Sequence, residues 1–186
     1  MATRPKHLFS LERYEEMIER GVLTSGDHVE LLAGEIVEML PIGTRHNASV
    51  ARATRALTLA LQDRAIVMPG GAIAIPPNSE PQPDIAVLRY RSDFYASIRP
   101  KAQDVLLLIE VSESSLAFDR GYKKRLYERS GIVEYWIADL VNNVIERYAD
   151  PRRGEYAAVR VFRGDERVPI GALPDLQIRA SDILAG

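Results

Sequence analysis

A chain of 186 residues with a formal net charge of −2 is long enough for one domain with its own core, and the charge excludes a basic nucleic-acid coat while leaving room for a local basic patch. Its 46% hydrophobic and 27% charged residues are those of an ordinary soluble fold, and the lack of cysteine removes disulfides, zinc–thiolate centres and cysteine nucleophiles together. His7, His28 and His46 are too scattered for a histidine-rich metal centre, residues 1–10 lack the apolar core of a secretion signal, and no apolar run approaches a membrane span, so a cytoplasmic protein in one domain over residues 1–186, without membrane association, is expected.

Ser10 precedes a run over 11–20 with acidic early positions and a stop at Gly21, which predicts a short amphipathic helix. Residues 30–39 read as two strands turned by Ala33-Gly34. From a cap at Thr44 to about Gln62, Val50, Ala53, Leu57, Ala60 and Leu61 recur at helical spacing, so this segment is the expected sheet-covering helix, with His46 in its first turn. Residues 64–88 are strand-like but broken by Pro69-Gly70-Gly71 and Pro76-Pro77-Asn78, leaving short strands at 72–75 and 84–88. A polar stretch to Gln103 reads as a loop or short helix. Residues 105–111 then run without polar alternation, the signature of a strand buried on both faces. A serine-rich turn at 112–115 leads to a helix from about Asp119 to Ser130, stopped by Gly131. Strands follow at 134–138, 144–148 and 156–162, with Asn142-Asn143 turning the first pair.

Glu110 stands at the end of the apolar run, where a carboxylate is costly unless a cation or hydrogen bonds compensate. Asp84 opens another strand behind Pro83. The 26 positions between them let the chain leave one strand and return beside it, so both carboxylates can converge on one divalent cation. Oxygen-only ligation favours magnesium or manganese over zinc. On the next helix Phe118, Tyr122 and Leu126 recur every four residues as the expected inward stripe, which directs Lys123 inward and Lys124 into solvent. An ammonium beside a cation and a phosphate stabilises the negative charge that develops during hydrolysis. Each residue also has a plainer role open to it: Asp84 satisfying a turn, Glu110 in a buried ion pair, Lys123 as a solvated lysine. The basic set Arg120, Lys123, Lys124, Arg125 and Arg129 either contacts phosphates or forms a solvated helix face, and Tyr135-Trp136 reads as core packing.

Pro81-Gln82-Pro83-Asp84-Ile85-Ala86-Val87, Leu108-Ile109-Glu110-Val111-Ser112, Asp119-Arg120-Gly121-Tyr122-Lys123, Tyr127, Gly131 and Glu134-Tyr135-Trp136-Ile137 together resemble the Uma-type (Uma two) restriction endonuclease family of the PD-(D/E)XK nuclease-like superfamily. The likeness extends forward to residues 30–37 and to Arg45-His46. It implies an α/β fold with a restriction-endonuclease-like core, a central mixed sheet flanked by helices, and hydrolysis of DNA phosphodiesters with magnesium or manganese. Asp84 and Glu110 match the family's metal-binding acids. Ser112 stands where the lysine of a simple E-x-K pattern would be, and the family pattern implies that Lys123 replaces it from the following helix. Glu30 and His46 match further family positions. The expected function is therefore a metal-dependent DNA endonuclease. The alternative is a catalytically weak or inactive nuclease fold that binds nucleic acid or a protein partner. A third expectation is a homodimer paired along an edge offered by residues 144–148.

Overall fold

Every residue of β5 (Val105–Ser112) is buried in the computed structural model, which describes residues 6–184. Residues 1–5 of the N-terminal segment considered above lie outside that range. The apolar run has no solvent side because both faces are covered. Leu107, Ile109 and Val111 cluster with Ala53, Leu57 and Leu61 of α2 (Thr44–Leu61), whereas Leu108 clusters with Tyr127, Tyr135 and Ile137. Side chains alternate across the pleat, so Glu110 falls on the side of Leu108, away from α2.

The central sheet runs β3 (Ala65–Pro69), β4 (Ile85–Arg89), β5, β6 (Glu134–Asp139), β7 (Val144–Arg152), β8 (Glu155–Arg163) in spatial order. Only β5 and β6 pair in parallel; the other neighbours are antiparallel. A parallel pair cannot be closed by a tight turn, and the crossover here is helical: α3 (Leu116–Phe118), a π turn over Asp119–Lys123, and α4 (Lys124–Arg129). The sheet is thus mixed and flanked by helices, as the family resemblance implied.

In front of the sheet lie α1 (Leu11–Glu19), where Ser10 accepts a hydrogen bond from Arg13 N, and the hairpin of β1 (Val29–Leu32) and β2 (Glu35–Glu38). Its turn needs the left-handed region at both Ala33 (φ 47°) and Gly34 (φ 86°), and a Cβ at Gly34 would lie 2.8 Å from that of Leu8. Asn143 adopts the same region (φ 55°) in the expected turn between β6 and β7.

Three expectations are corrected, and one segment is added. Residues 72–75 form isolated bridges, Ala74 with Lys101 and Ile75 with Ser79, and the regular strand is β3; the Gly and Pro pairs on either side leave no length for a ladder. The N-cap of α2 is Gly43, without a side-chain cap, instead of Thr44. Residues 144–148 belong to a strand hydrogen-bonded on both sides, by β6 and β8, so they offer no free edge; the edges are β3 and β8. The chain beyond 162 is also structured: β9 (Arg167–Ile170), β10 (Leu173–Arg179) and α5 (Ala180–Ile183) add Val168, Ile170, Ile178 and Ile183 to the α2 side of the core. Alternation of Val168 and Ile170 was the available signal. No helix among the described residues is long and apolar enough to cross a membrane.

Candidate active site

Asp84 sits one residue ahead of β4, and the pairing of Ile85 with Ile109 brings it beside Glu110, whose Oε2 accepts from Asp84 N at 3.4 Å. Asp84 Oδ2 accepts from Val111 N at 2.7 Å and bonds His46 Nε2 at 3.1 Å, the latter from the first turn of α2. Asp84 Oδ1 has no hydrogen bond among the described residues. Glu110 Oε1 accepts from Lys123 Nζ at 3.0 Å and from the Tyr127 hydroxyl at 2.8 Å. Lys123 also reaches Glu30 Oε1 at 3.1 Å, and Glu30 Oε2 accepts from Gln82 N at 3.0 Å. The five residues singled out in the sequence therefore form one chain of contacts: His46, Asp84, Glu110, Lys123, Glu30.

The helix delivers Lys123 differently from the apolar pattern. Its sheet-facing stripe is Asp119, Lys123 and Tyr127, all buried, while Phe118 is 36% exposed. The expected stripe was one position early, because apolar spacing was used for a helix whose inward face is polar. A π turn at this point is a feature often found at functional sites. Asp119 anchors it: Oδ2 accepts from Ser112 Oγ at 2.7 Å and Ser115 Oγ at 2.5 Å, and the Tyr135 hydroxyl reaches its carbonyl at 3.4 Å. Ser112 thus ties down the turn that carries Lys123. Asp119 was not among the expected site residues, and Tyr127 was noted without a role; the four-residue spacing 119–123–127 was the signal.

Lys124 does not point into solvent. It pairs with Glu128 at 2.5 Å and lies over the rings of Tyr148 and Tyr156 at 5.5 and 5.8 Å from their centroids. Arg120 is tied to Asp139 and Glu146, so of the basic set Arg125 and Arg129 remain as exposed cations.

Three carboxylates, Glu110, Glu30 and Asp119, act on one buried ammonium, and a fourth, Asp84, adjoins Glu110. Burial pushes the Glu110 carboxyl well above the usual carboxylate range; Lys123 opposes this and Asp84 adds to it. For Lys123, burial favours the neutral amine, but Glu110 and Glu30 outweigh it, so its pKa is raised and the ammonium stays charged. Burial raises Asp119 against its two serine hydrogen bonds. His46 is likewise raised: burial works against the charged ring, and the hydrogen bond and charge of Asp84 overcome it. His46 Nδ1 is buried without a partner among the described residues.

The Uma2 family model, described as "Putative restriction endonuclease", matches residues 11–181. The chain belongs to the Uma2 family. This agrees with the resemblance carried by the acid-bearing strands and the Lys123 helix, and makes the protein nuclease-like. Among solved structures, one described as a putative nuclease belonging to DUF820 from Anabaena variabilis ATCC 29413 is 15% identical, with a TM-score of 0.72 over 94% of this chain and 97% of that one. At that identity the similarity speaks to the fold. A search of curated proteins gave no match. Among the described residues of this Uma2 protein, no group of three or more His, Cys, Asp or Glu side chains is arranged to hold a metal ion. The adjoining pair Asp84 and Glu110 is still a suitable oxygen donor set for magnesium, which keeps several waters and is commonly held by one or two carboxylates together with substrate phosphate.

Proposed function

We propose that this Uma2 protein is a divalent-metal-dependent DNA endonuclease that hydrolyses phosphodiester bonds, with Asp84 and Glu110 as the ligands of magnesium or manganese. The observation that carries this is the adjacency of Asp84 and Glu110 where β4 pairs with β5, in a cluster whose acids outnumber its single buried ammonium. Such an excess favours an added cation. Family membership supports the nuclease class.

A hard divalent cation at this pair would supply Lewis-acid polarisation of a phosphate and acidify an attacking water. The protein's own residues set up the donors. His46 and Val111 N hold Asp84 Oδ2, leaving Oδ1 for a cation; Lys123 and Tyr127 hold Glu110 Oε1, leaving Oε2 with only the 3.4 Å contact to Asp84 N. The Lys123 ammonium favours ionised Glu110 and adds positive charge near a phosphate as negative charge grows on its oxygens. Glu30 positions Lys123 and braces the β1–β2 hairpin against the segment before β4.

The test is nicking of supercoiled plasmid and cleavage of linear and single-stranded DNA in magnesium or manganese. Metal-dependent cleavage that disappears in Asp84→Ala is expected, whereas no cleavage above that of the variant on any DNA form overturns the proposal. Independently, millimolar magnesium or manganese should stabilise the protein by about 1–3 kcal/mol, since it binds only the native carboxylate pair. A thermal melt unmoved by metal, or moved equally in Glu110→Ala, contradicts this.

One observation favours a second reading. Lys123 is committed to two carboxylates and Ser112 occupies the E-x-K lysine position, which suits a nuclease fold that binds nucleic acid or a partner without turnover. DNA binding retained by Asp84→Ala, with cleavage by neither protein, selects it.

A further inference from the structure

The helix that carries His46 to Asp84 continues along an arginine-lined groove. None of the 18 residues of α2 is acidic, although the chain as a whole has more acids than bases. Past the site, α2 presents Arg52 and Arg55, and the β9–β10 hairpin faces them with Arg167 and Arg179. The groove between them has a volume of about 580 Å³, with the side of Leu59 in its lining and Asp182 as its one carboxylate. Asp182 pairs with Arg179 at 2.9 Å, and Arg52 donates to the carbonyl of Ser181 at 2.5 Å. Arg55 and Arg167 are exposed and have no acidic partner among the described residues.

Four guanidinium groups against one carboxylate repel one another across a concave surface, and that arrangement concentrates positive potential where an anion would relieve it. Arginine is also the side chain whose planar fork matches phosphate oxygens. At a helical rise of about 1.5 Å per residue, Arg52 and Arg55 lie about 9 and 13 Å along α2 from His46. That distance corresponds to roughly three to four nucleotides of B-form DNA.

We propose that this groove binds the phosphate backbone of DNA, three to four nucleotides from the bond held at Asp84 and Glu110. The proposal rests on the nuclease reading and adds a second, sequence-independent contact for its substrate. A second cleft, lined by Lys101, Arg125 and Arg129, is basic too, but it opens between the β1–β2 turn and the outer side of α4 and does not include α2. It provides a control of equal charge.

Binding is measured by fluorescence anisotropy with labelled duplexes of unrelated sequence, in an Asp84→Ala background so that no cleavage intervenes. Adding Arg55→Gln and Arg167→Gln should weaken binding of all duplexes alike, by about ten-fold or more near 0.1 M salt, and reduce the slope of log affinity against log salt by about 2. Lys101→Gln with Arg129→Gln should leave both quantities unchanged. Thermal melts should show both double variants folded, since the four side chains are exposed and lack acidic partners. Equal losses in the two double variants, or an unchanged slope in the first, overturn the groove while leaving the nuclease reading intact. Absence of DNA binding by the Asp84→Ala parent and of cleavage by the wild type overturns both.

Discussion

Lys123→Met is expected to destabilise the fold by about 3–5 kcal/mol, the usual cost of removing one partner from a buried ion pair. The side chain of Lys123 is 8% exposed, and those of Glu110 and Glu30 are 5% and 4% exposed. Methionine keeps most of the volume, so the loss isolates the charge instead of opening a cavity. Of the two oxygens Lys123 contacts, Glu110 Oε1 would keep only the Tyr127 hydroxyl and Glu30 Oε1 would have no donor among the described residues. Urea unfolding without added metal reads the effect. Removing one of the two stranded carboxylates with Glu110→Gln in the same protein returns the net charge of the trio to that of the wild type and should recover a good part of the loss, because the amide needs no cation and only Glu30 remains without one. A loss under about 1 kcal/mol would mean that water reaches these groups and that the pair is effectively a surface salt bridge.

Asp84→Asn should lower metal-dependent cleavage by roughly 10³-fold, equivalent to about 4 kcal/mol of transition-state stabilisation. Asparagine is nearly isosteric, and its side-chain oxygen can still accept from Val111 N, so the end of β5 should be held and the melting point little changed. What is lost is the negative charge on the atom left for a cation and the charge that raises His46. Cleavage is compared at saturating magnesium, with binding measured in parallel. A variant that retains cleavage within ten-fold of the wild type, at the same metal concentration, would remove Asp84 from the ligand set. A variant that loses binding and melting temperature together would instead mark Asp84 as structural.

Glu110 was conspicuous because its neighbours in the chain exclude every polar alternative, and burial of all eight β5 residues follows from that local run. Asp84 was legible as the residue opening the next strand behind Pro83. The helix after β5 was harder. Its apolar residues suggested the 118–122–126 face, yet the face turned to the sheet bears Asp119, Lys123 and Tyr127, whose burial depends on hydrogen bonds from other elements. Lys124 was placed in solvent for the same reason, since nothing nearby in sequence reveals the rings of Tyr148 and Tyr156 that cover it. The residues at 144–148 looked suited to an edge because their pattern is that of a strand, but only sheet order says which strand is outermost.

What the sequence alone determined is local or carried by motif: the helices and most strands, the strand buried on both faces, the acids at positions 84 and 110, and an inward lysine at 123 on the next helix. These depend on periodicity, turn residues and residue identity, which are written along a single segment. The tertiary structure decided which atoms meet. Glu30 and Lys123 touch across 93 positions, and His46 and Asp84 across 38. Such contacts depend on strand order, register and the π turn, none of which has a period in the chain, and with them come the single shared ammonium, the raised Glu110 carboxyl and the arginine groove beside α2.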